Sequence, residues 1–273
     1  MKHRLQTFLV VLILGIGALL MMVPFIWMII TSLKTPAEAL QIPPDWWPRS
    51  WRWHNYLTMW HLAPFGRYCL NSLLVTTAIT VGQLVTGILA AFALTHLQFY
   101  GRRSLFIGLV GLMMIPGELL LIPNFVTLTQ FHWIDTYAAL IVPWLASIFV
   151  LYALRQSFQA TPRSRYYAAR IDGASDWQYL WQILVPANRT TIVAVAVLQA
   201  IGSWNSFMWP LIVTNSDALR TLPVGLIAFT SDNGTNYPLL MAASTFVIGP
   251  LLVMYLVLQK YIVAGMMHAR LKG

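Results

Sequence analysis

The chain has 273 residues, 58% of them hydrophobic and only 9% Asp, Glu, Lys or Arg. A soluble domain carries roughly 25% charged residues, so an aqueous monomer with this composition would expose large apolar patches and is excluded. The formal charge of +9 invites a nucleic-acid partner unless the bases flank membrane spans on one side, and the single cysteine, Cys69, excludes a disulfide framework and a multi-cysteine metal site.

In chain order, six stretches nearly free of charge are long enough to cross a hydrocarbon core about 30 Å thick, which takes about 20 helical residues. They predict spans over about 7–31, 69–96, 104–131, 136–156, 190–213 and 237–260. The first follows a basic start (Lys2, Arg4). Its apolar run exceeds the ~7–15 residues of a signal-peptide core and no small-x-small site follows Met28, so it reads as a retained helix. The third is interrupted by Glu118, Pro116 and Pro123. None of the runs alternates with period two, so helices and not barrel strands are expected.

Orientation follows from the bases. With the N-terminus inside, Lys2, Arg4, Arg102, Arg103, Arg155, Arg163, Arg165, Arg170, Arg189, Lys260, Arg270 and Lys272 are cytoplasmic, 12 of 17. Lys34, Arg49, Arg52, Arg67 and Arg220 lie outside. Both termini are therefore predicted to be cytoplasmic. Topology accounts for the positive charge, and no nucleic-acid partner is expected.

Three connections exceed a simple turn. The outer one, 34–67, is rich in Trp and Pro. It suits the headgroup region as a cap over the helices or as a partner-contacting surface. The inner one carries the most information. Thr161-Pro162 predicts a helix start with Pro at the first helical position, running through Tyr166, Tyr167, Ala168, Ala169, Arg170 and Ile171 to a left-handed closure at Gly173. Ser175 and Gln178 are spaced as a capping box, after which Trp177, Leu180, Trp181 and Leu184 form an apolar stripe at i, i+3, i+4 and i+7. Pro186 is expected to end or bend that helix. The third connection, 214–236, contains the polar run Ser231 to Asn236, which reads as a turn or mobile loop.

The series Ala168-Ala169-Arg170-Ile171-Asp172-Gly173-Ala174-Ser175, followed by Ile183-Leu184-Val185-Pro186, resembles the cytoplasmic Glu-Ala-Ala…Gly…Leu-Pro loop of ABC importer permeases, more narrowly the sugar-importer permeases of the maltose-permease type. The likeness continues through Gly202-Ser203-Trp204-Asn205, Trp209-Pro210-Leu211, Leu222-Pro223-Val224-Gly225-Leu226, Met241-Ala242-Ala243-Ser244 and the final Lys272-Gly273. It implies a single all-α transmembrane domain over 1–273, with six spans, the type I ABC importer permease fold and a cytoplasmic coupling helix in the loop 161–189.

On that resemblance, Tyr166, Tyr167, Ala168, Ala169, Arg170, Asp172, Gly173 and Ala174 dock into a separate ATPase. Small residues at 168 and 169 permit close approach and Gly173 the sharp turn. Tyr167 stands where the family usually has Glu, so docking rests on shape, Tyr packing and neighbouring charges. Lys272 and Gly273 match a tail that reaches between ATPase subunits, or form a frayed basic end. Asn233 and Gly234 match a loop that can reach into the solute-binding protein. The implied partners are a second homologous permease subunit, an ATPase homodimer carrying ATP and Mg, and an extracytoplasmic solute-binding protein, with membrane lipid around the spans. The implied location is a bacterial or archaeal inner membrane.

Glu118 at membrane depth calls for a water-filled path, a partner or the interface. It reads equally as a solute acceptor, a gate, a tie to a partner helix or a structural acceptor. Trp204, Asn205 and Trp209 suit a sugar path through ring stacking and amide hydrogen bonds, or anchor a span end. Asn71, Gln83, His96, Gln130 and Gln199 are expected to bond between helices. No Gly-x4-Gly-Lys-Ser/Thr and no His-Glu-x-x-His occurs, so neither ATP binding of that kind nor zinc-protease chemistry is expected, and no cofactor or metal in this chain. The rival readings are an ion-coupled secondary transporter, for which no duplication is evident, a permease for a non-sugar solute and, more distantly, a membrane-bound transferase.

Overall fold

The structure, a computed structural model, describes residues 2–231 and 234–270. Asn233, Lys272 and Gly273 lie outside the described residues. The longer helices are α1 (Lys2–Ser32), α2 (His54–Leu62), α3 (Phe65–Thr95), α4 (Arg102–Leu112), α5 (Leu121–Gln130), α6 (Ile148–Gln159), α7 (Arg163–Ile171), α8 (Arg189–Trp204) and α9 (Tyr237–Arg270). Two short strands, β1 (Thr230–Ser231) and β2 (Gly234–Thr235), pair antiparallel.

Among the described residues, four helices are long and apolar enough to cross a membrane: Gln6–Ser32, Phe65–Thr95, Tyr137–Gln159 and Tyr237–Leu256. Two bent pairs bring the number to six if each is one span: Arg102–Leu112 with Gly117–Gln130 at 93°, and Asp176–Ala187 with Arg189–Trp204 at 79°. The stretch predicted over 104–131 is thus two helices. Pro116, at φ −57 and ψ 131, is extended and has no N–H to continue the ladder, so the break falls there. Pro123 sits in the first turn of α5, where no N–H is required, and leaves that helix intact.

Chain contacts divide into two compact units, Met1–Phe65 with Gly225–Pro250 and Gly66–Val224 with Leu251–Gly273. In the first, the most apolar window of α1 buries none of its residues, as suits a helix solvated by lipid. Its C-terminal end is buried instead. Asn55 Nδ2 donates to the carbonyls of Ser32 (2.8 Å) and Lys34 (2.9 Å), and the Lys34 ammonium donates to Asp45 O and lies 4.3 Å from the Trp27 ring. The Trp- and Pro-rich connection is thereby tied down over that helix end, while Trp46, Trp47, Trp51 and Trp53 stay exposed.

The second unit holds two cores. One gathers Ile88, Phe92, Val150, Leu154, Phe158, Ala169, Tyr179, Leu180, Leu184 and Val195, and so joins α3, α6, α7 and α8. The other gathers Val75, Ile79, Leu128, Leu140, Trp209 and Val213. The connection after residue 213 is pinned in its first part, before the polar run at 231–236. Asn71 Nδ2 donates to the carbonyls of Ala218 and Arg220, both at 2.9 Å, and Ser72 Oγ accepts from Leu222 N at 2.7 Å. The side chains that satisfy those backbone groups lie far away in sequence, on α3, which local turn chemistry does not reveal.

Candidate functional site

The inner loop is built from two helix ends facing each other across a glycine. α7 starts after Pro162, which is the N-cap residue and not the first helical one, because its ψ of 130 is extended. Past the C-cap Asp172, Gly173 adopts φ +85, and Gly173 N donates to Arg170 O (3.2 Å) while Ala174 N donates to Ala169 O (2.9 Å). That pair of bonds is a Schellman closure, which requires the left-handed residue. The next helix opens on the expected capping box: Gln178 N donates to Ser175 Oγ (3.2 Å) and Ser175 N to Gln178 Oε1 (2.8 Å).

The two faces of α7 differ. Tyr167 is 56% and Ile171 85% exposed, and Ala168 is exposed between them. With Ser164 they stand at i, i+3, i+4 and i+7, a solvent-facing stripe. Ala169 is 5% exposed and packs into the inner core, so its small size serves close approach within the chain. Tyr166 also turns inward. Its ring centroid lies 5.0 Å from Tyr179 and 5.4 Å from His96, at the foot of α3. Its hydroxyl donates to Asp176 Oδ1 at 2.8 Å, a bond that holds the phenol above its ordinary pKa, with burial adding to the effect. Arg170 reaches the same carboxylate at 3.5 Å, and Asp172 is exposed.

The stripe predicted for the second helix is displaced. Tyr179–Leu184 is π-helical, and the wider i→i+5 turn shifts which side chains face inward. Tyr179, Leu180 and Leu184 are buried, whereas Trp177 is 61% exposed. The chain bends at Asn188, two residues beyond the expected Pro186. Asn188 is buried and ties the loop's two ends together: Nδ2 donates to Leu184 O (2.8 Å) and Thr161 Oγ1 (3.2 Å), and Oδ1 accepts from Ser157 Oγ (2.6 Å). Asn188, Tyr179 and His96 were not singled out from the sequence as parts of this loop: an Asn shortly after a Pro reads as a plain turn, Tyr179 falls outside the 3.6-residue apolar stripe, and His96 packs from the end of α3.

Farther along α3 lies a mainly apolar niche of about 220 Å³, walled by Val75, Ile79, Leu140, Trp144, Trp209 and Pro210, with polar groups from Ser72, Thr76, Gln83, Gln199, Ser203, Ser206 and Thr221. Gln199 Nε2 donates to Gln83 Oε1 at 2.6 Å, and Gln83 Nε2 to Trp144 O at 2.9 Å, the helix–helix bonding expected of both residues. Trp209 Nε1 donates to Ala139 O at 3.0 Å, which fixes its ring edge-on to Trp144 at 5.8 Å. Among the described residues, the Ser203 and Thr221 hydroxyls are buried with no hydrogen-bond partner, so the niche offers polar groups to an occupant.

Of the four residues predicted for a solute path, Trp209 lines this niche. Trp204 is buried beside it in sequence but is not a wall; Asn205 is exposed and bonds back to Ile201 O at 2.9 Å; Glu118 is exposed in the turn Gly117–Leu120. Gly234 lies in β2 with φ +120.

Helices of membrane-spanning length, a capped helix in the loop 161–189 and a niche among the helices make this chain an integral membrane protein with an internal site. Residues 83–268 match the family described as binding-protein-dependent transport system inner membrane component. The chain belongs to that family. It is 31% identical to the arabinooligosaccharides transport system permease protein AraQ of Bacillus subtilis (strain 168), over 94% of this chain and 92% of AraQ. It is 31% identical to the sn-glycerol-3-phosphate transport system permease protein UgpE of Yersinia pestis bv. Antiqua (strain Antiqua), over 94% and 95%. It is 30% identical to the diacetylchitobiose uptake system permease protein NgcG of Streptomyces coelicolor, over 92% and 84%. Among solved structures, a chain of a bacterial ABC transporter involved in import of the acidic polysaccharide alginate superposes with a TM-score of 0.82 at 23% identity, covering 94% of this chain and 96% of that one. The fold is that of a type I ABC importer permease.

Proposed function

We propose that residues 1–273 act as one permease half of a heteromeric, ATP-driven importer of a sugar or sugar-like solute, with both termini in the cytoplasm. The relatives named for arabinooligosaccharides, sn-glycerol-3-phosphate and diacetylchitobiose share polyhydroxylated cargo, which supports that class. The observation that carries the coupling role is α7 itself. An exposed Tyr167–Ala168–Ile171 stripe sits on a helix closed at Gly173 and seated through Ala169 and Tyr166 on the core that includes α3, α6 and α8. A push on the stripe therefore moves packed helices and is not absorbed by loop bending.

The partner ATPase, carrying ATP and Mg, supplies that push by docking on Tyr167, Ala168, Arg170, Asp172 and Ile171, while Gly173 and Ala174 keep the turn. The missing acid at 167 is replaced by an aromatic contact. The tail at Lys272 and Gly273 extends the ATPase contact, and Asn233 and Gly234 face the solute-binding protein. A second permease chain completes the path. The niche at Gln83, Gln199, Ser203 and Trp209 is smaller than the roughly 300–1,000 Å³ of a site that encloses a drug-sized ligand. It takes part of the solute, with amide and hydroxyl groups for its hydroxyls and Trp rings for its C–H faces.

The test is Gly173→Val in the reconstituted importer. A β-branched residue at φ +85 is strained, so the chain is expected to insert normally while ATP hydrolysis runs without uptake. Normal transport in that variant removes the coupling assignment. Orientation is tested separately with Ser164→Cys in a background lacking Cys69. Labelling is expected only from reagents that reach the cytoplasm, and labelling of intact cells by impermeant reagents overturns it.

A further inference from the structure

At the coupling-loop end of α4 and α6, three arginines converge on a cleft of about 420 Å³ lined by Arg102, Arg103, Phe106, Ile107 and Arg155. None of its walls is acidic, and among the described residues none of the three arginines is in an ion pair. Two of them are held in place. Arg102 Nη1 donates to Leu97 O at 2.9 Å, and the Arg155 guanidinium lies 3.7 Å from the Phe106 ring centroid, with its Nε buried and without a hydrogen-bond partner. The Phe106 ring in turn stacks on Tyr152 at 6.4 Å and 8°.

Like charges gathered without a counter-charge repel one another, and an anion seated between them converts that repulsion into attraction. Guanidinium forks match the oxygen geometry of a phosphate. We propose that this cleft binds the phosphate of an anionic phospholipid. The remaining walls select lipid over free phosphate: Phe106 and Ile107 are apolar, and Ile107 is 60% exposed, which places apolar surface beside the arginines for the start of an acyl chain. Its position at the ends of the stretches 104–131 and 136–156 is where headgroups meet the protein, and basic pockets between spans on the cytoplasmic side suit such headgroups. The proposal rests on the assignment of these stretches as spans. It does not depend on coupling or on the identity of the solute.

The experiment exchanges lipid from mixed phosphatidylglycerol and phosphatidylcholine micelles onto the purified full-length chain and onto the assembled importer. Retained lipid is counted by native mass spectrometry. Phosphatidylglycerol is expected to be retained in preference in both preparations, with affinity falling about fivefold for each arginine removed in Arg102→Gln and Arg155→Gln. Because Arg155 also packs on Phe106, the exposed Arg103→Gln gives the same reading without disturbing packing. Arg155→Lys is expected to fall between the native chain and Arg155→Gln, since the charge stays and the fork is lost. Equal retention of the two lipids, or unchanged retention in all the variants, overturns the proposal. So does displacement by excess inorganic phosphate, which assigns the cleft to a free anion. Retention by the isolated chain that vanishes on assembly also overturns it, since a protein partner then fills the cleft. Gly173→Val leaves lipid retention unchanged, which separates this result from failure of the coupling assignment.

Discussion

α1 and α3 are each 31 residues long and both apolar enough to cross a bilayer, yet they are solvated in opposite ways. The more apolar of the two, α1, buries nothing along its most apolar window, whereas a third of the corresponding window of α3 is buried. α3 also carries the polar load: Asn71, Ser72, Thr76, Thr80, Gln83 and Thr95 are all buried. In lipid a polar side chain has no water to fall back on, so it is placed where protein satisfies it. Between these two helices, the one with polar residues along its length is the one that packs on protein, and the unburied apolar surface of α1 suits lipid.

The largest expected break between the two helices comes from adding bulk. A Cβ at Gly87 of α3 would lie 2.6 Å from Val150 Cγ1, so Gly87→Val forces α3 away from α6 and should cost about 1–3 kcal/mol. At Gly15 of α1 nothing lies within 4 Å, and Gly15→Val should stay within about 0.5 kcal/mol of the native chain. Thermal unfolding of the two purified variants checks this, and equal shifts would erase the distinction. Asn188→Ala sharpens the same contrast at the loop. It removes a buried amide that satisfies Ser157, Thr161 and Leu184, and should lower stability by about 1–3 kcal/mol and open the inner loop to protease. If that variant resists protease as well as the native chain does, the two ends of the loop are held by packing alone.

The smallest effect is a pH dependence on the opposite side of the unit. Asp135 accepts from Ser216 N (3.0 Å), Asn215 N (2.9 Å) and Ser216 Oγ (3.0 Å). The Ser216 backbone bond leads in holding its carboxyl below the ordinary aspartate value. Because the folded pKa is depressed, this contribution is complete above the unfolded value near 3.9 and disappears as pH falls through the folded one. Protection of the Asn215 and Ser216 amides, relative to their intrinsic exchange rates, should therefore fall on acidification below about pH 4, and Asp135→Asn should flatten that response. The group is partly exposed, so solvent screening leaves a gain of about a fraction of a kcal/mol.

Much of the inner loop was legible locally. Gly173 in the left-handed region and the Ser175–Gln178 box each depend on a few adjacent residues, and a Schellman closure or a capping box forms wherever those residues meet a helix end. The π-helical turn at Tyr179–Leu184 was not legible, because the sequence reads as an ordinary 3.6-residue stripe and only packing of Tyr179 and Leu180 into the inner core selects the wider turn. The niche was half legible. Trp209 announced itself as an aromatic next to a proline, but Gln83 and Gln199 stand 116 positions apart and nothing local joins them.

Composition and local sequence motifs determined that this chain is a membrane protein and that the loop 161–189 carries two helix starts, because solvation by lipid and helix capping act on neighbouring residues. The tertiary structure decided which of two adjacent alanines is exposed and which is buried, which asparagine ties the loop shut and which arginines meet at a cleft. Those outcomes depend on side chains that arrive from separate helices, and the free energy that selects them comes from contacts no single segment possesses.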